Sequence, residues 1–184
     1  MQHTSRRVST AAGVEYHHVV VVPETCTDLA RVGVTFTLPG SYEHLRWFGR
    51  GPFENYPDRN AGAPLGIWHG VPDEPPYLVP QEFGLRTDCR WFEFIDPSAG
   101  SVLRLDVMAP LAMHMSATHF TAKDLYEART ESELRPRSEL VVHADVAHRG
   151  LGTASCGPDV LPQYRLQPGT HRFSYRLALF SAVS

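Results

Sequence analysis

Apolar and polar residues alternate with a period of two along much of this chain, which restricts the folds open to it. Val32, Val34, Phe36 and Leu38 alternate with Gly33, Thr35 and Thr37; Leu103, Leu105 and Val107 with Arg104 and Asp106; Phe173, Tyr175, Leu177 and Leu179 with Arg172, Ser174 and Arg176. Successive side chains of an extended strand point to opposite faces, so each segment buries one face and wets the other. Leu140, Val142, Ala144 and Val146 mark another strand, and the valines at 19–22 form a run that a sheet can cover on both faces. Pro39-Gly40, Gly51-Pro52, Pro57-Asp58, residues 97–100 and Pro168-Gly169 punctuate these runs as turns. One helix is predicted, from Thr121 to about Arg129, with Thr121 and Asp124 at capping-box spacing. The expected fold is all-β, an antiparallel sandwich with at most one short helix.

A chain of 184 residues can bury one core, so a single domain over 14–184 is expected, preceded by a polar, flexible N-terminus at 1–13. The formal net charge is −3 and the basic residues are scattered, which argues against a nucleic-acid partner. No stretch has the length of a membrane span. The three cysteines, Cys26, Cys89 and Cys156, show no C-x-x-C spacing, so neither a disulfide framework nor a zinc site is indicated. A reducing, cytoplasmic setting fits them.

Residues 46–59, R-W-F-G-R-G-P-F-E-N-Y-P-D-R, interleave aromatics with carboxylates and arginines. Trp47, Glu54, Tyr56, Asp58 and Arg59 are the residue types of a sugar surface, where rings stack and charged groups bind hydroxyls. The same types also lock a long connection onto a sheet through ion pairs pinned by packed rings. Residues 80–91, P-Q-E-F-G-L-R-T-D-C-R-W, place Arg86, Asp88 and Arg90 on one face of an extended segment, as an ion ladder. Glu54 or Asp58 with Glu82 are the candidates for a carboxylate pair flanking a glycosidic bond. His114/His119 and His143/His148 are each five apart and point to opposite faces of a continuous strand, so no metal site is expected unless a bulge or turn intervenes. Residues 150–162, G-L-G-T-A-S-C-G-P-D-V-L-P, form a small-residue loop able to approach a ligand closely, or a plain connection.

The runs at 49–59, 80–91, 114–121 (H-M-S-A-T-H-F-T) and 149–159 (R-G-L-G-T-A-S-C-G-P-D) together resemble the C-terminal small-chain region of large multidomain β-galactosidases of glycoside hydrolase family 2. The resemblance spans about residues 14–179, and D-L-A-R-V-G at 28–33 is similar to the strand before the first run. It implies an antiparallel supersandwich like that of galactose mutarotase, which packs on a catalytic barrel and lends a loop to the active-site rim. By that match the rim residues are Gly152, Ser155, Cys156, Gly157 and Asp159; some members carry a stacking tryptophan where Cys156 and Gly157 stand here.

In the family the catalytic glutamates, and the Mg and Na ions, lie in the barrel. The resemblance therefore assigns this chain no catalytic residue, no metal and no cofactor, and it is expected to be inactive alone. Its expected role is in hydrolysing terminal non-reducing β-D-galactose residues, its partners being the barrel domain or subunit and galactosides. The chain begins part-way into the family's region, which implies a fragment, a truncated paralogue or a subunit completed by another chain. Unpaired sheet edges would then favour a homo-oligomer. Two alternatives are an aldose mutarotase-like epimerase using His114 or His119 with a carboxylate, and a carbohydrate-binding module using Trp47, Phe53, Tyr56 or Trp68.

Overall fold

The computed structural model describes residues 1–73, 77–152 and 157–181. Its strands are β1 (Gln2–Thr10), β2 (Gly13–Val22), β3 (Arg31–Pro39), β4 (His44–Arg50), β5 (Leu65–Gly70), β6 (Arg86–Cys89), β7 (Trp91–Asp96), β8 (Ser101–Ala109), β9 (Met113–Thr118), β10 (Glu139–His148) and β11 (Gly169–Ser181), with one helix, α1 (Ala122–Glu127). They form a seven-stranded sheet in the order β1-β2-β11-β8-β7-β4-β5 and a four-stranded sheet in the order β3-β10-β9-β6. All pairings are antiparallel.

The predicted alternation places the core. Leu45, Trp47, Phe92, Phe94, Leu105, Phe173 and Tyr175 from the large sheet join Val32, Met113, Met115, Leu140, Val142 and Ala144 from the small one in a single apolar cluster. An edge-on contact between Phe36 of β3 and Phe94 of β7, 6.4 Å between centroids, crosses the two layers. A smaller cluster of Phe83, Phe120 and Leu125 lies under α1. The expected capping box starts that helix: the Thr121 hydroxyl accepts from the Asp124 amide, and the Asp124 carboxylate accepts from the Thr121 amide.

Three expectations are corrected. Residues 1–13 are not a loose leader: Gln2–Thr10 pairs with β2 in unbroken register from Gln2↔Val21 to Thr10↔Gly13. Polar composition suits an edge strand wet on both faces, with Arg6 and Arg7 discouraging further pairing, so the sandwich begins at β1. The valine run is not covered on both faces either; Val20 and Val22 are buried while Val21 is exposed. The Arg86-Asp88-Arg90 ladder does not form. Pairing with β9 shifts register between Arg86 and Cys89, and Asp88 adopts a positive φ of 55°. Arg86 turns inward over the Trp47 ring, 4.9 Å away, while Asp88 turns to the Arg50 Nε at 2.5 Å.

Trp47 is fully buried, stacks on Phe92 and donates its indole N–H to the Arg50 carbonyl at 2.9 Å. Trp47→Ala is expected to lower unfolding stability by about 3–5 kcal/mol, as for large buried rings generally. Urea denaturation measures it, and a loss under about 1 kcal/mol would contradict this placement.

Candidate functional site

β10 carries a bulge between Asp145 and Ala147, so that Asp145 pairs with Gly33 but His148 with Arg31. The extra residue returns His148 to the face that carries His143 and Asp145. The opposite-face expectation for His143 and His148 fails here for that reason. On the neighbouring strands the same face presents Arg31, His114 and Ser116, with Ser116 opposite His143 and His114 opposite Asp145.

Arg31 is the hub of this face. Its Nη2 bonds a Glu82 carboxylate oxygen and lies 2.9 Å from His148 Nε2, and its Nη1 lies 3.6 Å from Asp145 Oδ2. His148 Nδ1 is 2.6 Å from the Arg149 carbonyl, which can only accept, so the proton sits on Nδ1 and Nε2 accepts from Arg31. His143 Nδ1 meets the Thr35 hydroxyl at 2.9 Å. Burial, reinforced by Arg31, pushes both imidazoles down to about 3, keeping them neutral at ordinary pH. Burial pushes Asp145 up to about 7 against the pull of Arg31, and raises Glu82 for the same reason. Arg31 Nη1 and Asp145 Oδ2 have no hydrogen-bond partner among the described residues.

Beside this hub opens a cavity of about 460 Å³. Its lining combines the polar Arg31, Glu82, Ser116, His143 and His148 with the apolar Phe83, Phe120 and Leu125, and includes Gly150, Leu151 and Asp159 of the small-residue loop.

The aromatic run at 46–59 is a clasp. Asp58 accepts from the amides of Leu151 (3.1 Å) and Gly152 (2.7 Å), holding the root of the loop. A Cβ at Gly150 would lie 2.5 Å from the Asp58 carboxyl carbon, and Gly152 has a φ of +61°, so both positions require glycine. Glu54 accepts from the Gly84 amide, the Tyr77 hydroxyl and Arg59 at 2.6–2.7 Å. The Asn55 side chain accepts from the Thr87 amide at 3.0 Å. At the far end of the loop Asp159 pairs with Arg149 (2.7 Å) and Arg165 (3.2 Å) and accepts from the Val160 amide. Gly157 is exposed, while Ser155 and Cys156 lie outside the described residues.

The structural reading of this run therefore prevails over the sugar-surface one. Trp47 and Tyr56 are fully buried, and Tyr56 stands edge-on to His148 with its hydroxyl 3.4 Å from Glu82. Arg59 stacks over the Tyr56 ring. Trp68 is half-buried and bonds the Gly49 carbonyl, which leaves Phe53 as the exposed ring among the module candidates. Glu54 and Asp58 are committed to these anchoring bonds. His119 pairs with Asp73 at 2.7 Å and is not brought to His114. Among the described residues no three His, Cys, Asp or Glu side chains converge as a metal site, and no helix is long and apolar enough to cross a membrane.

Sequence reasoning missed the hub. Arg31 and Glu82 stood in noted segments, but their convergence with Asp145 and His148 depends on a bulge that apolar periodicity does not reveal.

Two layers of antiparallel strands, with a clasped loop beside a half-polar cavity, define an all-β sandwich domain. Residues 2–179 match the family described as Beta galactosidase small chain, and the chain belongs to that family. It is 33% identical over 165 residues to a β-galactosidase of Arthrobacter sp. (strain B7), covering 85% of this chain and 16% of that protein. It is likewise 33% identical over 155 residues to the Kluyveromyces lactis β-galactosidase, covering 82% and 14%, and 33% identical over 175 residues to that of Vibrio cholerae, covering 91% and 16%. The chain thus spans only about a sixth of the length of the curated relatives it matches.

Asp58→Ala is expected to lower stability by about 1.5–3 kcal/mol, the worth of hydrogen bonds to a charged acceptor, and to speed amide exchange at Leu151 and Gly152. Unchanged exchange there would refute the clasp.

The hub also sets a pH dependence. Histidines protonate near 6.5 when unfolded but these two only near 3 when folded, so between those values the unfolded chain binds more protons and stability rises with pH. Asp145 acts oppositely: its folded carboxyl keeps a proton up to about 7 while the unfolded one releases it near 3.8, so its contribution falls with rising pH across that window. Glu82, which burial also raises, acts in the same sense as Asp145, while burial lowers His114 and His18 as well, so the lowered imidazoles outnumber the raised carboxyls. Stability should climb between about pH 4 and 6.5 in denaturant titrations, and the double variant His143→Gln/His148→Gln should flatten the climb.

Proposed function

We propose that this chain serves as the C-terminal small-chain domain of a glycoside hydrolase family 2 β-galactosidase. In this reading it packs on a catalytic barrel and lends residues 150–159 to the active-site rim. The observation that carries it is the clasp: Asp58 grips the root of the loop at Leu151 and Gly152 while Asp159 ties its return to Arg149 and Arg165. A rim that helps position substrate needs held ends, because displacement of a contact by about 1 Å costs much of its effect. Gly152, Ser155, Cys156, Gly157 and Asp159 are the rim candidates, and galactosides the ligands they would meet. The catalytic glutamates and the Mg and Na ions belong to the barrel, so no chemical step is assigned to this chain. A cytoplasmic setting belongs to the same reading, and β5, the opposite edge of the large sheet with Leu65 and Ile67 exposed, offers the edge at which a second copy can pair.

The experiment is complementation. The purified chain should leave a chromogenic β-galactoside intact; added to a barrel-bearing β-galactosidase truncated before its small-chain region, it should restore hydrolysis, and Asp58→Ala should restore less. Hydrolysis by this chain alone, or no gain on mixing, would overturn the proposal.

A further inference from the structure

We propose that two copies of this chain associate through β5, pairing antiparallel about a two-fold axis at Ile67 so that the two large sheets become one. This rests on the reading of β5 as a free edge and gives that edge a partner and a register; it stands whether or not the chain assembles with a barrel.

The backbone of β5 is ready for another strand. The Arg90 amide donates to the Phe48 carbonyl at 2.8 Å and the Gly51 amide to the Pro64 carbonyl at 3.2 Å. Bonds alternate sides along an antiparallel strand, so Phe48 and Arg46 turn theirs toward β7, while Gly49 and Trp47 turn theirs toward Gly66 and Trp68 of β5. The amides and carbonyls of Leu65, Ile67 and His69 therefore point away from the sheet, and among the described residues no backbone group meets them. Other edges are guarded. β1 carries Arg6 and Arg7, β3 starts on Arg31, ends on Pro39 and lies against the bulge of β10, and β6 has four residues and a register shift. β5 runs L-G-I-W-H-G in unbroken register, with no lysine, arginine, carboxylate or proline, and with Leu65 48% and Ile67 55% exposed. Such an edge is a template for strand pairing.

The partner that fits this edge is its own copy. About Ile67 the outward positions are symmetric: Ile67 meets Ile67 of the second copy, Leu65 meets its His69 and His69 its Leu65, each pair exchanging two backbone bonds. On the outer face the register sets Ile67 beside Phe48 and Phe48 beside Trp91. The two-fold axis joins two such rows into one apolar strip running across both sheets. Charge agrees with this. Arg46 beside His69 and Arg50 beside Leu65 sit one strand back and are matched within their own copy, by Glu93 at 3.4 Å and Asp88 at 2.5 Å. No lysine, arginine or carboxylate of one β5 is brought opposite a like charge of the other. Because both copies use the same edge, the association closes at two.

Analytical ultracentrifugation with hydrogen exchange tests this. The mass should rise from 20.6 kDa toward twice that between about 1 μM and 1 mM chain. As it rises, amide exchange should slow at Leu65, Ile67 and His69 and stay unchanged at Trp68, whose bond to β4 is already made. Ile67→Lys sets two like charges on the axis and should weaken the dimer at least about 10-fold, with unchanged circular dichroism. Leu111→Lys, at an exposed apolar residue between β8 and β9, should leave the dimer intact. A monomer throughout, masses beyond the dimer, exchange that slows elsewhere but not at these three amides, or equal loss in Leu111→Lys would overturn the proposal. Complementation reads hydrolysis rather than mass, so either result can fail without the other.

Discussion

A single guanidinium, that of Arg31, joins the parts of this molecule that sequence keeps far apart. It stands on an edge strand of the small sheet and reaches Glu82 from the loop before β6, Asp145 before the bulge of β10 and His148 after it. One cation between the buried Asp145 and the half-buried Glu82 is an exacting arrangement, since taking charges out of water is unfavourable unless each finds a partner. Burial resolves the surplus by raising both carboxyls and keeping the imidazoles neutral. The register shift of β10 is what makes the arrangement reachable, because an unbroken strand would turn His148 into the core.

Around that hub the aromatic run at 46–59 acts as a fastening rather than a surface. Asn55 and Glu54 hold the segment that carries Glu82, and Asp58 holds the root of the loop at 150–152. Glu82, in turn, meets the buried Tyr56 hydroxyl. Three runs distant in sequence thus converge on one cavity, and the loop that borders it is fixed at both ends. For a domain spanning about a sixth of its relatives, the interest of this arrangement is that both the loop and the cavity are shaped within the chain itself.

Much of the fold was legible in the residues. The alternation at 32–38, 103–107, 140–146 and 173–179 gave strands, and Thr121 with Asp124 gave the helix start, because each depends on neighbours a few positions away. Less of the site was legible. Trp47, Tyr56 and Glu54 have the chemistry of a sugar platform and the chemistry of a lock, and only their burial separates the two. The polar opening residues read as a tail because composition does not show that β2 lies ready to pair with them.

By itself the sequence determined the all-β class, the membership carried by four ordered motifs, and a glycine-rich loop that admits close backbone contact. Tertiary structure alone decided which side chains meet. The bond from Leu151 to Asp58 joins residues 93 apart and that from Arg31 to His148 residues 117 apart, and no local period encodes either. The bulge that turns His148 outward is set by how β10 pairs with β3, so it exists only once both strands are in place.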